Sequence, residues 1–416
     1  MSNVIARVGA MASLAVSTLL IARLGGPEGV GFYALLRVLP GLMGVLMSGG
    51  LPGAVSYFLG GSERGNVRLC STILATAITG GTAAAALWVA VAPLLTAVFF
   101  KGGDGVVIAW AGAAVFAKLL VATVKSCSQG SDDLHGANRS IVLEELMFLP
   151  AFAVFTLAGL HGSAAVVASL VAADISTAGA GWTRLVRRGF FAGGGRPSLA
   201  LARRIASYGI RGQVGGLLTL LNLRLDFALL GALAGPGVLG TYAVASKFAD
   251  LLRLGPLAFT YVLYPRFARR GRDAAAADAR ALLPRVGVAT ALAGLPLAVA
   301  ATIFLPLIYG EAFRPAIVPT YLLLLGLSGE GFSSVVTAFL YGSGRPGLNS
   351  VAMGAGLVVT VVLDLLLIPR FGAFGAAAAS CVAYVTSCAV LLSTFWLLNR
   401  PNDLSGAPVP ATGGTR

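Results

Sequence analysis

Ten charged side chains lie inside long apolar stretches of this 416-residue chain. They are Arg37, Lys118, Asp174, Arg224, Asp226, Lys247, Asp250, Arg253, Glu330 and Asp364. A charge at the depth of a lipid bilayer is costly, so such a side chain usually faces a charged partner or a water-filled cavity. The ten residues therefore predict internal ion pairs, a polar cavity within the protein, or both.

The densest group of these charges lies in the segment LNLRLDFALL and in the stretch that follows it. Arg224 and Asp226 belong to that segment. Lys247, Asp250 and Arg253 follow at steps of three, which places them on one broad face of a helix. Lysine and arginine stabilise localised negative charge such as that of a diphosphate, and arginine adds a planar fork of donors. The group therefore predicts an anion-binding cavity, with internal pairing of Lys247 to Asp226 or Asp250 as the alternative.

The composition is that of a polytopic membrane protein. Charged residues make up 11% of the chain and hydrophobic residues 57%, whereas a soluble domain carries about 25% charged residues. The formal net charge is +14, but the basic residues of a membrane protein collect on its cytoplasmic side for topological reasons. The basic loops also lack the interleaved aromatic residues that would stack on bases. We therefore expect no nucleic acid partner.

Apolar runs of about 20 residues, the length that crosses a bilayer, predict an all-α membrane protein with about twelve transmembrane helices. The runs are 4–23, 31–58, 70–97, 105–126, 141–160, 163–183, 208–232, 238–265, 282–309, 316–341, 350–369 and 372–399. With a cytoplasmic N-terminus, most of the 30 lysines and arginines fall in the inner loops, so we predict that both termini are cytoplasmic. The Ala-, Gly- and Arg-rich composition suggests a bacterium with GC-rich DNA, so we expect the plasma (inner) membrane as the location.

These spans divide the chain into two bundles of six helices. The predicted parts are an N-terminal bundle (1–183), a basic cytoplasmic linker (184–207), a C-terminal bundle (208–399) and a disordered cytoplasmic tail (400–416). The tail is rich in Pro, Gly, Ala and Thr, a composition that buries too little apolar surface to fold. The arginines of the linker fit a topological role and could also attract anionic lipid headgroups.

A repeated motif relates the two bundles. Residues 24–34 read LGGPEGVGFYA and residues 233–243 read LAGPGVLGTYA, at a constant offset of 209 that is almost half of the chain. Two like-oriented halves with the substrate held between them are a common design of transporters. The offset also maps Arg37 onto Ser246, beside Lys247, so equivalent spans each place a base at similar depth. We therefore predict one central cavity whose substrate-binding residues are Arg37, Arg224, Lys247 and Arg253.

Carboxylates within such a cavity could take up a proton or a cation and so couple transport to a gradient. The candidates are Asp226, Asp250, Glu330 and Asp364. Lys118 and Asp174 could equally form a structural pair. Glu144 and Glu145 are predicted at the cytoplasmic start of a helix, where acidic side chains suit the helix dipole, and we assign them no further role.

The sequence offers no sign of catalytic chemistry. The four cysteines form no CxxC pair and have no nearby histidine partner, and the two histidines build no ligand set. The glycine-rich stretches are not followed by the lysine of a nucleotide-binding phosphate loop. We therefore expect a protein that is not an enzyme, with no catalytic residues, no metal site and no cofactor.

The motifs together resemble those of the oligosaccharide flippases. The resemblance lies in the repeat LGGPEGVGFYA and LAGPGVLGTYAVA, in LNLRLDFALLG before its second copy, and in VLYPRF at 262–267. These flippases form the polysaccharide biosynthesis branch of the multidrug/oligosaccharidyl-lipid/polysaccharide (MOP) exporter superfamily, and the similarity extends over about 4–399. It implies a V-shaped, MATE-like pair of six-helix bundles that opens alternately to each side.

The same resemblance implies the substrate. This would be an undecaprenyl-diphosphate-linked oligosaccharide that is flipped from the cytoplasmic to the outer leaflet for surface polysaccharide assembly. Besides the lipid-linked glycan and membrane lipids, glycosyltransferases and a polymerase of the same pathway are candidate partners. The basic cavity that the resemblance implies corresponds by span and residue type, rather than by a strict motif, to Arg37, Arg224, Lys247 and Arg253.

Two alternatives remain open on the sequence. A multidrug or small-molecule exporter of the same superfamily would need an acidic, aromatic pore for cationic drugs, whereas the seventh and eighth spans here carry three bases against two acids. A membrane-embedded glycan-processing enzyme would need a sizeable outer loop to hold catalytic residues, and the predicted outer loops are short. Both alternatives therefore fit the chain less well than a flippase does.

Overall fold

The computed structural model describes residues 3–61 and 66–399. Over these ranges the regular structure is helical, with fifteen α-helices joined by short turns. In chain order they are α1 (Asn3–Met47), α2 (Leu51–Gly60), α3 (Leu69–Val98), α4 (Gly105–Trp110), α5 (Gly112–Gly130), α6 (Leu134–Leu146), α7 (Phe148–Leu157), α8 (Gly162–Arg187), α9 (Leu199–Ala234), α10 (Pro236–Ala249), α11 (Leu254–Ala268), α12 (Arg272–Phe304), α13 (Ile317–Leu327), α14 (Glu330–Gly342) and α15 (Pro346–Leu398). The predicted disordered tail, 400–416, lies outside the described residues.

Two of the helices contain a sharp reversal of the backbone. Gly26 in α1 has a φ of 58° and Gly372 in α15 a φ of 53°, a region that glycine adopts at little cost. Beyond Gly372 the chain runs back alongside the first part of α15. A hydrogen bond of 3.2 Å from the Ser387 hydroxyl to the carbonyl of Ala352 shows this return. A straight helix of 53 residues would be about 80 Å long, whereas the hydrocarbon core is about 30 Å thick. Each of these helices therefore holds two membrane crossings.

The described chain has eight helical stretches that are long and apolar enough to cross a membrane. Two of them contain the reversals, and α9 and the α10–α11 segment account for the predicted seventh and eighth spans. The all-α, multi-pass prediction is confirmed, and its count of about twelve spans agrees with this arrangement. Large apolar side chains such as Leu157, 89% exposed, cover the outside, as expected for a surface that faces lipid rather than water.

The repeated motif forms a crossing between the first half (α1–α8) and the second half (α9–α15). Gly31 on α1 meets the backbone of Pro236, and Gly240 on α10 meets the backbone of Pro27. A Cβ atom at either glycine would overlap the carbonyl oxygen of the facing proline. Because Gly31 and Gly240 are equivalent under the 209-residue offset, the crossing follows the internal symmetry of the chain. Small residues allow this approach, since they let two helix backbones come into contact.

A second close approach lies in the turn between α1 and α2, where α9 packs against the first half. Gly209 contacts the backbone of Gly49 and Gly50, and the ring of Tyr208 stacks on that of Tyr57 at 4.2 Å. The turns before α9 are held to the first half as well, because the backbone of Ser198 donates to the Thr72 hydroxyl. The two halves therefore touch at both ends of the space between them.

We expect Gly240→Ala to lower the thermal stability of the purified protein. The added methyl group meets backbone rather than a movable side chain, so the helices must separate, and overpacking of this kind costs roughly 1–3 kcal/mol. Thermal unfolding in detergent measures the effect. Gly237→Ala is the matched control, because it adds the same atom one turn away in open space. Equal melting temperatures for the two variants would contradict the tight crossing.

Candidate functional site

A cavity of about 230 Å³ lies between the two halves, with walls from α1, α9 and α10. Three of the four predicted basic residues line it together: Arg37 on α1, Arg224 on α9 and Lys247 on α10. The remaining wall is mostly apolar, with Tyr33 and Phe227 among the lining residues. The structure thus brings basic side chains from both halves to one hollow.

Arg37 is held by its own helix and by α6. Its Nη1 donates a hydrogen bond of 3.3 Å to the hydroxyl of Tyr33, one turn earlier on α1. The guanidinium also lies 5.5 Å from the centre of that ring, within the range of a cation–π contact. Its Nη2 forms an ion pair of 2.5 Å with Glu145. These contacts fix the direction of the guanidinium at the edge of the cavity.

Arg224 and Lys247 approach the cavity from the second half. The guanidinium of Arg224 lies 5.6 Å from the ring of Phe227, which shares the cavity wall. The ammonium of Lys247 is 3.9 Å from Asp250, one turn later in the chain. That distance is at the limit of an ion pair and beyond a hydrogen bond. The positive charge of this wall is therefore only partly offset by neighbouring acids.

Arg253 lies elsewhere. It is not among the described residues that line the cavity, and its guanidinium sits 3.7 Å from Asp250 and 3.5 Å from Glu330. The helix tightens at Asp250–Arg253 into a 3-10 turn, because Pro256 has no N–H to bond the carbonyl of Leu252. The ion pair thus joins the break in the eighth span to the start of α14. A direct role of Arg253 in substrate binding stays a prediction.

The four candidate coupling carboxylates fall into two kinds. Asp250 and Glu330 are partly exposed and hold Arg253. Asp226 is buried and accepts hydrogen bonds from the hydroxyl of Tyr242, at 2.5 Å, and from the backbone of Phe227. Tyr242 differs here from Tyr33, its counterpart under the 209-residue offset, because Tyr33 accepts a hydrogen bond from Arg37 whereas Tyr242 donates one to Asp226.

Asp364 is the most unusual of the four. Its side chain is fully buried, and neither carboxylate oxygen has a hydrogen-bond partner in the part of the chain that the structure describes. A buried charged carboxylate without a partner is expensive. Asp364 is therefore expected to be neutralised, either by a proton or by a bound cation.

Sequence reasoning missed a group of ion pairs inside the first half. Glu144 pairs with Lys125 at 2.7 Å and lies 3.9 Å from Lys118, which also pairs with Asp174 at 3.1 Å. Lys118, Lys125 and Glu144 line a smaller cavity of about 170 Å³, which shares part of the α1 wall with the first. The suggested structural pair of Lys118 and Asp174 is present, within a larger network.

The prediction for Glu144 and Glu145 was wrong. Both residues lie in the last turn of α6, which begins at Leu134, rather than at the start of a helix. Helix α7 follows after Met147, whose backbone is helical, so the two acids lie within one continuous span, where charged side chains need partners. The adjacent pair of acids beside an apolar run was the available signal, but the polar residues before it concealed the beginning of α6.

A buried aspartate outside the membrane spans positions α6. Asp133 precedes the helix and accepts a hydrogen bond from the backbone of Gly136. Arg184 donates two further bonds to it, at 2.7 and 2.9 Å, and Arg188 pairs with it at 3.0 Å. The hydrogen bonds from Arg184 are the main cause that lowers the pKa of the Asp133 carboxyl. These bonds connect α6, and with it Glu145, to the end of α8.

Solved structures share this fold. The chain matches the lipid II flippase MurJ in an inward closed conformation with a TM-score of 0.70 and 14% identity, covering 94% of this chain and 85% of that one. An inward-facing multidrug resistance MATE transporter of the MOP superfamily matches with a TM-score of 0.65 and 14% identity, over 96% of each chain. A MOP superfamily transporter from Pyrococcus furiosus, described by the reverse polarity of its binding pocket, matches with a TM-score of 0.59 and 14% identity, over 95% of this chain and 94% of that one.

A search of curated proteins finds no match to this sequence. At 14% identity the solved structures establish the fold alone, which is the multi-pass helical architecture of the flippase and transporters named above. The sequence profile described as polysaccharide biosynthesis protein matches residues 4–270, more than half of the chain. On this match, together with the flippase and transporter folds it resembles, the chain belongs to the polysaccharide biosynthesis protein family, as the flippase-like motifs predicted.

Proposed function

We propose that this protein flips an undecaprenyl-diphosphate-linked oligosaccharide from the cytoplasmic to the outer leaflet of the bacterial plasma membrane, for surface polysaccharide assembly. The observation that carries the proposal is the convergence of Arg37, Arg224 and Lys247 on one cavity between the halves. A diphosphate linking a lipid to a glycan must remain stabilised while it crosses the bilayer. Basic side chains supply that stabilisation through charge-assisted hydrogen bonds.

The size of the cavity fits part of such a substrate. Its volume of about 230 Å³ is below the roughly 300–1,000 Å³ of pockets that enclose drug-sized ligands. A diphosphate could occupy it, but an oligosaccharide requires the halves to separate. The prenyl tail would stay in the lipid throughout. The chemistry is binding and movement without a covalent step, so the protein is not an enzyme under this proposal.

The proposed movement is alternating access between two bundles, 1–183 and 208–399, joined by the basic linker 184–207. Contacts between the halves occur at the Gly31–Gly240 crossing and again where Gly209 meets the turn between α1 and α2. Opening one contact while the other holds would expose the cavity to one side at a time. Both termini would be cytoplasmic, as the distribution of basic residues favours. The lipid-linked glycan and membrane lipids are the proposed partners, with pathway glycosyltransferases and a polymerase as further candidates.

Among the coupling candidates, Asp364 has the strongest support, because its buried carboxyl has no hydrogen-bond partner among the described residues. Asp226, also buried, is the second candidate, and Tyr242 would orient it. Asp250 and Glu330 already hold Arg253, so we assign them a structural part in the eighth and tenth spans. Uptake of a proton or cation at Asp364 would then help drive the change between states.

A multidrug or small-molecule exporter is the alternative, favoured by the fold shared with a MATE transporter. A cavity for cationic compounds would attract its ligands with acidic side chains. The three bases around the present cavity oppose such ligands and suit anions.

Lys247→Ala is expected to reduce glycan export at least about tenfold, since a charge-assisted contact is worth about 1.5–3 kcal/mol and about 1.4 kcal/mol corresponds to a factor of ten. Export is measured as surface polysaccharide in cells that depend on this chain, with membrane levels of the protein determined in parallel. Lys247→Arg should retain most export. Arg314→Ala, an exposed residue away from the cavity, is the control. Normal export by Lys247→Ala would remove the cavity from the mechanism.

Asp364→Asn is expected to abolish the stimulation of flipping by an imposed sodium or proton gradient, because the amide cannot carry the exchangeable charge. Flipping of a fluorescent lipid diphosphate in proteoliposomes provides the measurement, with each gradient applied separately. Asp104→Asn is the control, since asparagine preserves the helix cap that this exposed residue makes. Unchanged stimulation in the Asp364 variant would exclude this carboxyl as the coupling group.

A further inference from the structure

Glu145 stands directly behind the cavity wall. It lies in the last turn of α6 and pairs with Nη2 of Arg37 at 2.5 Å. Its side chain is only 16% exposed, and its second carboxylate oxygen is buried with no hydrogen-bond partner among the described residues. Among the described residues, the hydrogen-bond partner of this carboxylate is therefore Arg37, which also lines the cavity.

A phosphate group would compete for that base. Carboxylates and phosphates accept the same parallel N–H groups of a guanidinium, so both cannot use the Nη2 edge of Arg37 in full. An empty cavity lined by three bases is itself unfavourable in a membrane. The ion pair with Glu145 offsets the charge of Arg37, and so reduces the repulsion among the three bases, when no substrate is present.

The two adjacent acids of α6, Glu144 and Glu145, pair with different bases. Glu144 pairs with Lys125 and lies near Lys118, both of which line the smaller cavity of the first half. Glu145 alone of the two contacts Arg37. Glu144 therefore belongs to a structural network, whereas its neighbour Glu145 holds Arg37, a proposed substrate-binding residue.

We propose that Glu145 is a specificity-determining counter-ion, which neutralises Arg37 in the empty cavity and yields it to the diphosphate of the substrate. This inference rests on the proposed function. A ligand must displace the carboxylate to bind. A diphosphate has two phosphoryl groups, which can contact Arg37 together with the other bases of the cavity, so it competes more strongly than a monophosphate or a small monovalent anion. Glu145 returns to Arg37 when the diphosphate leaves, which favours release on the far side and the return of the empty protein.

The test measures binding of farnesyl diphosphate and farnesyl monophosphate to the purified full-length protein in detergent. In Glu145→Gln the amide no longer competes as an anion, and we expect farnesyl diphosphate to bind about tenfold more tightly, the factor that about 1.4 kcal/mol of lost competition represents. The monophosphate should gain more than the diphosphate, so that discrimination between them narrows. In proteoliposome flipping, the apparent KM should fall together with the maximal rate, because release becomes slower.

Glu144→Gln is the matched control, because it removes the same charge one residue away without releasing Arg37. We expect less than about a twofold change in its affinity, because Glu144 makes no ion pair with Arg37 and its charge acts mainly on Lys125 and Lys118. Glu145→Asp retains the charge on a shorter arm and should give an intermediate affinity. That variant also preserves the test if Glu145→Gln proves too unstable to purify.

The possible results separate the inference from the proposed function. Unchanged or weaker binding by Glu145→Gln, or equal tightening by Glu144→Gln, would overturn the role of Glu145 while leaving a diphosphate transporter in place. Failure of the wild type and of every variant to bind farnesyl diphosphate would instead overturn the proposed function, and this inference with it.

Discussion

The contact of two helix backbones at Gly31 and Gly240 is the constraint on which the rest of the structure depends. Neither glycine leaves room for a Cβ, because each meets a proline carbonyl of the opposite half. Arg37 and Lys247 follow these glycines by six and seven residues, about 10 Å along their helices. A fixed crossing therefore brings both bases to a similar depth, where they line one cavity. A side chain at Gly31 or Gly240 would push α1 and α10 apart and would move Arg37 away from Lys247.

The membrane imposes a second condition, which divides the buried charges by role. In the first half, Lys118 and Lys125 meet Glu144 and Asp174, so their charges are balanced inside one bundle. Between the halves the bases exceed the acids, and Arg37 is shared between a resident carboxylate and the cavity. Full pairing would stabilise the bundle but leave nothing to attract an anion. Incomplete pairing at the interface is thus the feature that a binding function requires.

The sequence was sufficient for the fold class and for three residues of the cavity, because both follow from long-range regularities. Length and hydropathy determine spans, and the 209-residue offset relates Arg37 to the neighbourhood of Lys247. The partners of these charges were harder to predict. Glu145 reaches Arg37 from a helix whose beginning is concealed in a polar segment. Arg253 turns to Glu330 because of a local break before Pro256, and spacing on an ideal helix could not anticipate that rotation.

Helix α9 determines how far the halves can move independently. Leu201 and Ile205, in its first turns, pack within a hydrophobic cluster of the first half, whereas Phe227 near its other end packs with Tyr242 of the second. A single helix of 36 residues is thus anchored in both halves, and Gln213 donates to the carbonyl of Val45 between these anchors. Any separation of the halves must bend this helix or release one end of it. Four glycines lie between 209 and 216, and because glycine is a weak helix former, bending is least costly there, at the level where α9 meets α1.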